Sequence, residues 1–460
     1  MQILGLKEIV EATKGELIFG ELNKGINGIC IDSRKVAEGS LFIPIKGENF
    51  DGHAFIKECL MKGAAASLTS EDVSGLDNME GKTVIKVKDT LAALGDIARY
   101  YRSLFDIPLV GITGSVGKTS TKDMIACVLQ QKYNVLKTSG NFNNHIGLPL
   151  TVMNMEGDYE AAVLEMGMSG LGEISYLTKI AKPSIAVITN IGMSHIEKLG
   201  SKQNILKAKM EIMEGLPDDG VVILNGDDSL LYGLKGFLKY KTLYYGTEDG
   251  LDLQAYNIKT MGESGTCFEM TIGNNDYKVH IPVPGTHNVY NALAAIAVGL
   301  HMGISIDSII KGIASYSPAN MRLNIVGHKG YKVINDAYNA SPQSMESALD
   351  VLKDTSEGNR TIAVLGDMLE MGEWAYKAHV GVGKYVASKE IDYLVTVGEN
   401  GRNIAHGALE AGIPADRVFT FTNNDEVKKL LEDFVKEGDF ILIKGSRGMK
   451  MEEIAQGLTK

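Results

Sequence analysis

The segment Leu109 to Ile125, LVGITGSVGKTSTKDMI, restricts the fold more than any other part of the chain. An apolar run from Ile107 to Ile112 reads as a buried strand. Met124, Ile125, Val128 and Leu129 then recur on one face of a helix that starts near Lys118. Strand, glycine turn and helix N-terminus in that order make a phosphate cradle. Backbone N–H groups converge, the helix dipole favours an anion, and a lysine ammonium reaches the outer phosphates. The cradle residues are Gly114, Ser115, Val116, Gly117, Lys118, Thr119 and Ser120. The Thr119 hydroxyl is placed to ligate Mg²⁺, which takes hard oxygen ligands. The strict pattern G-x-x-x-x-G-K-[ST] needs glycine at 112, where this chain has isoleucine. A bare connecting turn does not account for Lys-Thr-Ser directly after the second glycine. The reading is a nucleoside-triphosphate site.

At 460 residues the chain exceeds a single core and implies two to four domains. A formal charge of −11 argues against a nucleic-acid partner, because a phosphate backbone needs a basic face. An anionic small substrate remains compatible, since local lysines and helix termini can hold it. Cys30, Cys59, Cys127 and Cys267 lack C-x-x-C spacing and sit in apolar contexts, which predicts reduced core residues. The start, MQILGLKEIVEATKG, reads as an amphipathic helix and not a signal peptide. No apolar run is long enough to insert in a bilayer. The expectation is a cytoplasmic protein, monomeric by default.

Three α/β blocks stand out. Residues 1–89 form a small first domain with short strands in ICIDSRKVAEGSLFIPIKG, a helix at DGHAFIKECLMKGA and a strand at KTVIKVK. Residues 90–316 alternate strands (AAVLEMG, SIAVITNIG, GVVILNGDD) with helices, which predicts a P-loop-type, mostly parallel sheet. YKTLYYG through VHIPVPG reads as an antiparallel addition to it. Residues 317–460 repeat the alternation as a Rossmann-like domain that lacks the G-x-G-x-x-G fingerprint.

Ligands of open parallel sheets bind at the carboxyl ends of strands, so polar residues there carry most weight. Glu165 closes AAVLE, where a carboxylate can bind a metal or face solvent. His195 follows the next strand, a loop histidine that gains interest by sharing a face with Glu165 and Thr119. Lys209 lies on a helical pattern with Lys202, Lys207 and Glu211 and, viewed alone, reads as a solvated face. Asp336 ends VIND, with Tyr338 able to stack on a base and Asn339, Ser341 and Pro342 forming a turn. Arg322 can clamp phosphate from a neighbouring domain, and Lys444 with Arg447 forms a second basic cluster. The first block offers Ser33, Arg34, Asn49 and His53 as loop donors but no phosphate loop, so a second, different ligand is expected there.

In chain order, DSRKVAEGSLFIPIKG with DGHAF, TGSVGKTS, NFNNHIGLPLT, LEMGMSGLGEI, TNIGMSHIEKLGS, PGTHNVYNALAA, DAYNASPQSM and GDMLEMG make the chain resemble the Mur ligases of peptidoglycan synthesis, over essentially its whole length. The resemblance implies ATP and Mg²⁺ as cofactors, with UDP-N-acetylmuramoyl-tripeptide and D-alanyl-D-alanine as small-molecule substrates. It also implies ATP-driven amide formation through an acyl phosphate. By motif, Gly114 to Ser120 match the family's phosphate loop, Thr119, Glu165 and His195 its metal positions, and Asn288 and Asn291 its adenine-side asparagines. Arg322, Asp336 and Tyr338 match nucleotide contacts. Lys118, His195 and Lys209 take the catalytic positions, Lys209 matching a lysine that is carbamylated in several members. Ser33, Arg34, His53, Asn141, Asn339, Ser341 and Lys444 are the substrate-side expectations. A folylpolyglutamate synthase would lack the first block. The amino-acid-adding ligase of the preceding step would carry D-N-P-R, which is absent. A non-catalytic ATP or UDP-sugar module leaves Glu165, His195 and Lys209 unexplained.

Overall fold

The computed structural model describes residues 1–72, 79 and 81–459. The central sheet has seven strands, all parallel. Across the sheet they run Leu253–Gln254, Lys241–Gly246, Val221–Asn225, Ile185–Ile188, Leu109–Thr113, Ala161–Glu165 and Val135–Lys137. The phosphate-loop strand is thus flanked by Ile185–Ile188 on one side and Ala161–Glu165 on the other. Chain order reverses there, and the carboxyl ends open a crevice. Both faces of these strands are covered, which is why they read as continuous apolar runs without alternation.

One expectation is corrected. Lys241–Gly246 joins the central sheet in parallel register with Val221–Asn225, because the connection through Ser229–Tyr232 carries the chain across the face. Only Tyr256–Thr260, Thr266–Ile272 and Asn275–Ile281 form the separate antiparallel patch. Helix His287–His301 packs against Lys118–Leu129 with an almost wholly buried Ala/Val/Leu surface.

The first sheet orders Glu16–Phe19, Thr83–Lys86, Ala66–Thr69, Leu41–Phe42 and Ile29–Cys30, antiparallel only at its Glu16–Phe19 edge. The last orders Asn324–His328, Tyr331–Asp336, Phe440–Lys444, Thr361–Gly366, Tyr393–Val397 and Val418–Phe421, with one antiparallel hairpin at Asn324–His328. All four cysteines are free; Cys127 is partly exposed and the others are buried. No described helix is long and apolar enough to cross a membrane.

Helix Thr90–Arg102 joins the first two sheets. It packs on Leu6–Thr13 and also on Gly147–Val152 and Glu173–Ala181. Its last residue, Arg102, is buried, and its guanidinium donates to the carbonyls of Ala181 (2.9 Å), Phe105 (2.6 Å) and Ile107 (2.9 Å). Arg102→Ala leaves three carbonyls without their donor at this junction. Its expected cost is on the order of 2–4 kcal/mol, seen as a lower thermal midpoint with the secondary structure retained at 25 °C. An unchanged midpoint contradicts the assigned role.

Candidate active site

The carboxyl ends of the central strands and the edge of the last sheet enclose a cavity of about 680 Å³. Ser115 to Ser120 lie on one wall. Glu165, His195, Asn288 and Asn291 add to it, and Arg322, Asp336, Tyr338, Asn339, Ser341 and Lys444 come from the opposite side. Gly117 caps the helix at φ 85°, a left-handed conformation that glycine adopts without steric cost. Gly114 approaches Thr189 so closely that an added Cβ would collide with the Thr189 hydroxyl. That hydroxyl donates to the Val116 carbonyl at 2.7 Å and fixes the loop. Gly114→Ala is therefore expected to weaken ADP binding by about 100-fold, roughly 3 kcal/mol, in a calorimetric titration; retained affinity contradicts this loop geometry.

The loop is braced from below. The Val116 N–H donates to Asn190 Oδ1 at 2.9 Å, and the Gly192 N–H to Ser115 Oγ at 2.8 Å. A buried chain of bonds runs from Thr121 Oγ1 to Asn291 Oδ1 (2.9 Å), from Asn291 Nδ2 to Asn288 Oδ1 (3.0 Å), and from Asn288 Nδ2 to the Pro284 carbonyl (2.8 Å). The two asparagines thus lock helix His287–His301 onto the phosphate-loop helix while still lining the cavity.

Glu165 is 2 % exposed, which overturns a solvated strand end. It accepts from Thr119 Oγ1 at 2.8 Å and from Asn143 Nδ2 at 2.7 Å. Thr119 also accepts from Arg322 Nη2 at 3.1 Å, so the arginine of the linker reaches the phosphate loop directly. The guanidinium stacks on Tyr338, 4.0 Å from the ring centre, and so covers one face of that ring. Met321 and Leu323, on either side of Arg322, both adopt left-handed backbone (φ 58° and 52°), a local strain that turns the guanidinium inward.

Lysine chemistry differs most from the plain sequence pattern. Lys209 is 1 % exposed, not on a solvated face, while Lys202 and Lys207 of the same helix are exposed. Burial, with the like charge of Lys118 nearby, pushes its pKa well down. Lys118 donates to the Gly114 carbonyl at 2.8 Å; burial also lowers its pKa, against the pull of Glu165. His195 occupies a left-handed position (φ 63°) and lines the cavity, and burial lowers its pKa while Glu370 opposes the shift.

Several expected contacts fall elsewhere. Asn141 is exposed and outside the cavity, because the turn from Ser139 to Phe142 rotates it away and presents Asn143 and Asn144 instead. Lys444 is 2 % exposed, and its ammonium is held by the Asp336 carboxylate and, at 3.0 Å, by the Asn339 carbonyl. The other Asp336 oxygen accepts from the Leu323 N–H at 3.2 Å. This pair braces the Arg322 turn, with the Lys444 ammonium already matched by the Asp336 carboxylate. Arg447 pairs with Glu452 at 2.6 Å and is not among the cavity residues.

Ser33, Arg34 and His53 also lie apart from this cavity. Arg34 forks onto Asp32 at 2.9 and 2.8 Å, which holds the Asp32 carboxyl down to about 2. His53 is closed on both sides, Nδ1 to Asp51 at 2.7 Å and Nε2 to the Ser70 N–H at 3.1 Å, so it shapes a loop and offers no ring nitrogen to a ligand. Asp51, His53 and Glu71 have the spacing of a metal site, but the Lys46 ammonium already pairs with both carboxylates, at 3.2 and 3.4 Å.

The fold and cavity define a phosphate-loop, nucleotide-binding α/β protein. Three family descriptions match successive parts of it: "Mur ligase family, catalytic domain" over residues 25–102, "Mur ligase middle domain" over 112–299, and "Mur ligase, glutamate ligase domain" over 321–447. A UDP-N-acetylmuramoyl-tripeptide–D-alanyl-D-alanine ligase of Bacillus subtilis (strain 168) is 43% identical over 455 residues, 98% of each chain. The ligase of the same name from Escherichia coli (strain K12) is 33% identical over 98% of each. Crystal structure I of MurF from Acinetobacter baumannii superposes with a TM-score of 0.91 at 29% identity, covering 100% of this chain and 99% of that one. MurF ligase from Thermotoga maritima in complex with ADP gives 0.83 at 29% identity over 94% and 97%. The chain belongs to the Mur ligase family.

Proposed function

We propose that the chain is an ATP-dependent amide ligase that joins D-alanyl-D-alanine to UDP-N-acetylmuramoyl-tripeptide, giving UDP-N-acetylmuramoyl-pentapeptide, ADP and phosphate. The observation that carries this reading is the 43% identity to the Bacillus subtilis ligase of that name, sustained over 98% of both chains. The reading takes the enzyme as a cytoplasmic monomer. It divides the work among residues 1–89 for the uridine nucleotide sugar, 90–316 for ATP and 317–460 for closing over the reacting groups.

The terminal carboxylate of the tripeptide attacks the γ-phosphoryl group, and ADP leaves. The dipeptide amine then adds to the acyl-phosphate carbonyl, and phosphate departs from the tetrahedral intermediate. The first step depends on charge neutralisation and in-line placement more than on covalent help from the protein. Lys118 and Arg322 supply fixed positive charge at the phosphate loop, supported by their direct bonds to Gly114 and Thr119. Thr119, Glu165 and His195 form a donor set of hydroxyl, carboxylate and imidazole suited to Mg²⁺ held directly or through water. Bound there, the ion neutralises charge on the phosphate oxygens. Lys209 fits a carbamate, because burial lowers the pKa of its amine and so favours the neutral form that is nucleophilic toward CO₂. The neutral amine adds to CO₂, the N–C bond forms with loss of one proton, and an anion is left beside Lys118. Water must be kept from the acyl phosphate, and the Asp336–Lys444 brace supports the Arg322 turn at the cavity wall that would serve this end.

Phosphate release that requires ATP, UDP-N-acetylmuramoyl-tripeptide and D-alanyl-D-alanine together is the expected result in a coupled assay. ATP turnover that ignores either acceptor contradicts the reading.

A further inference from the structure

The GDMLEMG segment is anchored on both sides of Glu370. Asp367 accepts from the Asn400 and Gly401 N–H groups at 3.2 and 2.7 Å, the Met368 N–H donates to His379 Nε2 at 2.9 Å, and the Leu369 N–H to Ser446 Oγ at 2.9 Å. Met368 and Met371 are buried, at 1 % and 3 % exposure. Between these anchors Glu370 stands exposed in a left-handed conformation, φ 61°. From the last sheet's side it reaches the central sheet's loop. Its Oε2 lies 2.6 Å from His195 Nδ1, and its backbone carbonyl accepts from the Glu197 N–H at 3.3 Å. Gly372 abuts the same Glu197 so tightly that a Cβ there would press on its backbone and side chain. Glu370 itself does not line the cavity, whereas His195 does.

A carboxylate only accepts, so Nδ1 of His195 must carry the proton in this pair. In the neutral ring the lone pair is then on Nε2. Histidines that bind metals commonly donate their other ring N–H to a carboxylate, which fixes tautomer and orientation. We propose that Glu370 is a positioning residue for the ligase reaction: delivered from the opposite side of the cleft, it holds the His195 ring so that Nε2 serves the cation site. His195 is then ready only when the last sheet's unit is seated on the central one. This rests on the reading of His195 as a cation contact.

The test is binding of Mn²⁺ to the full-length protein, measured by the paramagnetic resonance signal of the free ion, with a non-hydrolysable ATP analogue present. His195→Ala, Glu370→Ala, Glu370→Gln and the double alanine variant are compared. His195→Ala and Glu370→Ala are each expected to weaken binding by about 10-fold. Glu370→Gln, whose amide oxygen still accepts from Nδ1–H, stays within about 3-fold of the unmodified protein. In the double variant the loss is no greater than with His195→Ala alone. If His195→Ala leaves affinity unchanged, the cation reading of His195 itself falls. If only His195→Ala weakens binding, or if Glu370→Ala adds a further loss in its absence, the positioning role is overturned. Equal losses for Glu370→Ala and Glu370→Gln overturn it as well.

Discussion

Lys118→Ala lowers turnover at saturating ATP by at least ~100-fold, a loss of about 3 kcal/mol or more of transition-state stabilisation, comparable to removing a preorganised donor. The effect follows from position. The ammonium sits at the N-terminus of helix Lys118–Leu129, bonded back to the Gly114 carbonyl at 2.8 Å and more weakly to Ser115 at 3.4 Å. Half-buried at the cavity wall, the ammonium acts where solvent screens charge less than in bulk water. On the proposed reading, the γ-phosphoryl group then loses a cation of the phosphate loop as charge shifts onto the bridging oxygen. Binding of the ground state suffers less than the chemical step, so kcat falls more than KM for ATP rises. Steady-state kinetics with both acceptors saturating check this. Near-normal kcat contradicts the role.

Glu165→Ala is expected to be as damaging for a different reason. Its carboxylate is the common acceptor for Thr119 Oγ1 and Asn143 Nδ2, and its backbone N–H is itself held by Thr138 Oγ1 at 2.9 Å. Alanine strands the buried Thr119 hydroxyl and the half-buried Asn143 amide and costs about 1–3 kcal/mol of stability. It also removes the anion that a cation at Thr119 needs, so kcat/KM falls by about 100-fold and half-maximal activity needs at least about 10-fold more Mg²⁺. Glu165→Gln separates the two effects. The amide keeps an acceptor for one partner, so the thermal midpoint is largely restored while the magnesium requirement stays high. A glutamine variant with both properties restored contradicts a charge role for Glu165.

Much of this was legible from spacing alone. A strand, a glycine turn and Lys-Thr-Ser fix the phosphate loop, and polar residues at strand ends locate Glu165 and His195, because a parallel sheet opens its crevice there. Residues whose role depends on the direction of a loop were not. Asn141 and Asn143 differ by two positions, and only the turn decides which one faces Glu165. Lys209 reads as surface by pattern, since its neighbours Lys202 and Lys207 are exposed; packing under Lys118 is a tertiary fact. Lys444 and Asp336 look like two free ligand groups in sequence and neutralise each other in space. Glu370 lies far along the chain from His195, and a left-handed glutamate between buried methionines has no signature in composition or period.

The most direct measurement follows one oxygen atom. With UDP-N-acetylmuramoyl-tripeptide labelled with oxygen-18 in its terminal carboxylate, the phosphate released in the presence of ATP and D-alanyl-D-alanine should carry one labelled oxygen. That label arrives when the carboxylate attacks the γ-phosphoryl group and leaves with it when the amine displaces phosphate. Phosphate free of label, alongside normal formation of the pentapeptide product, would contradict the acyl-phosphate account.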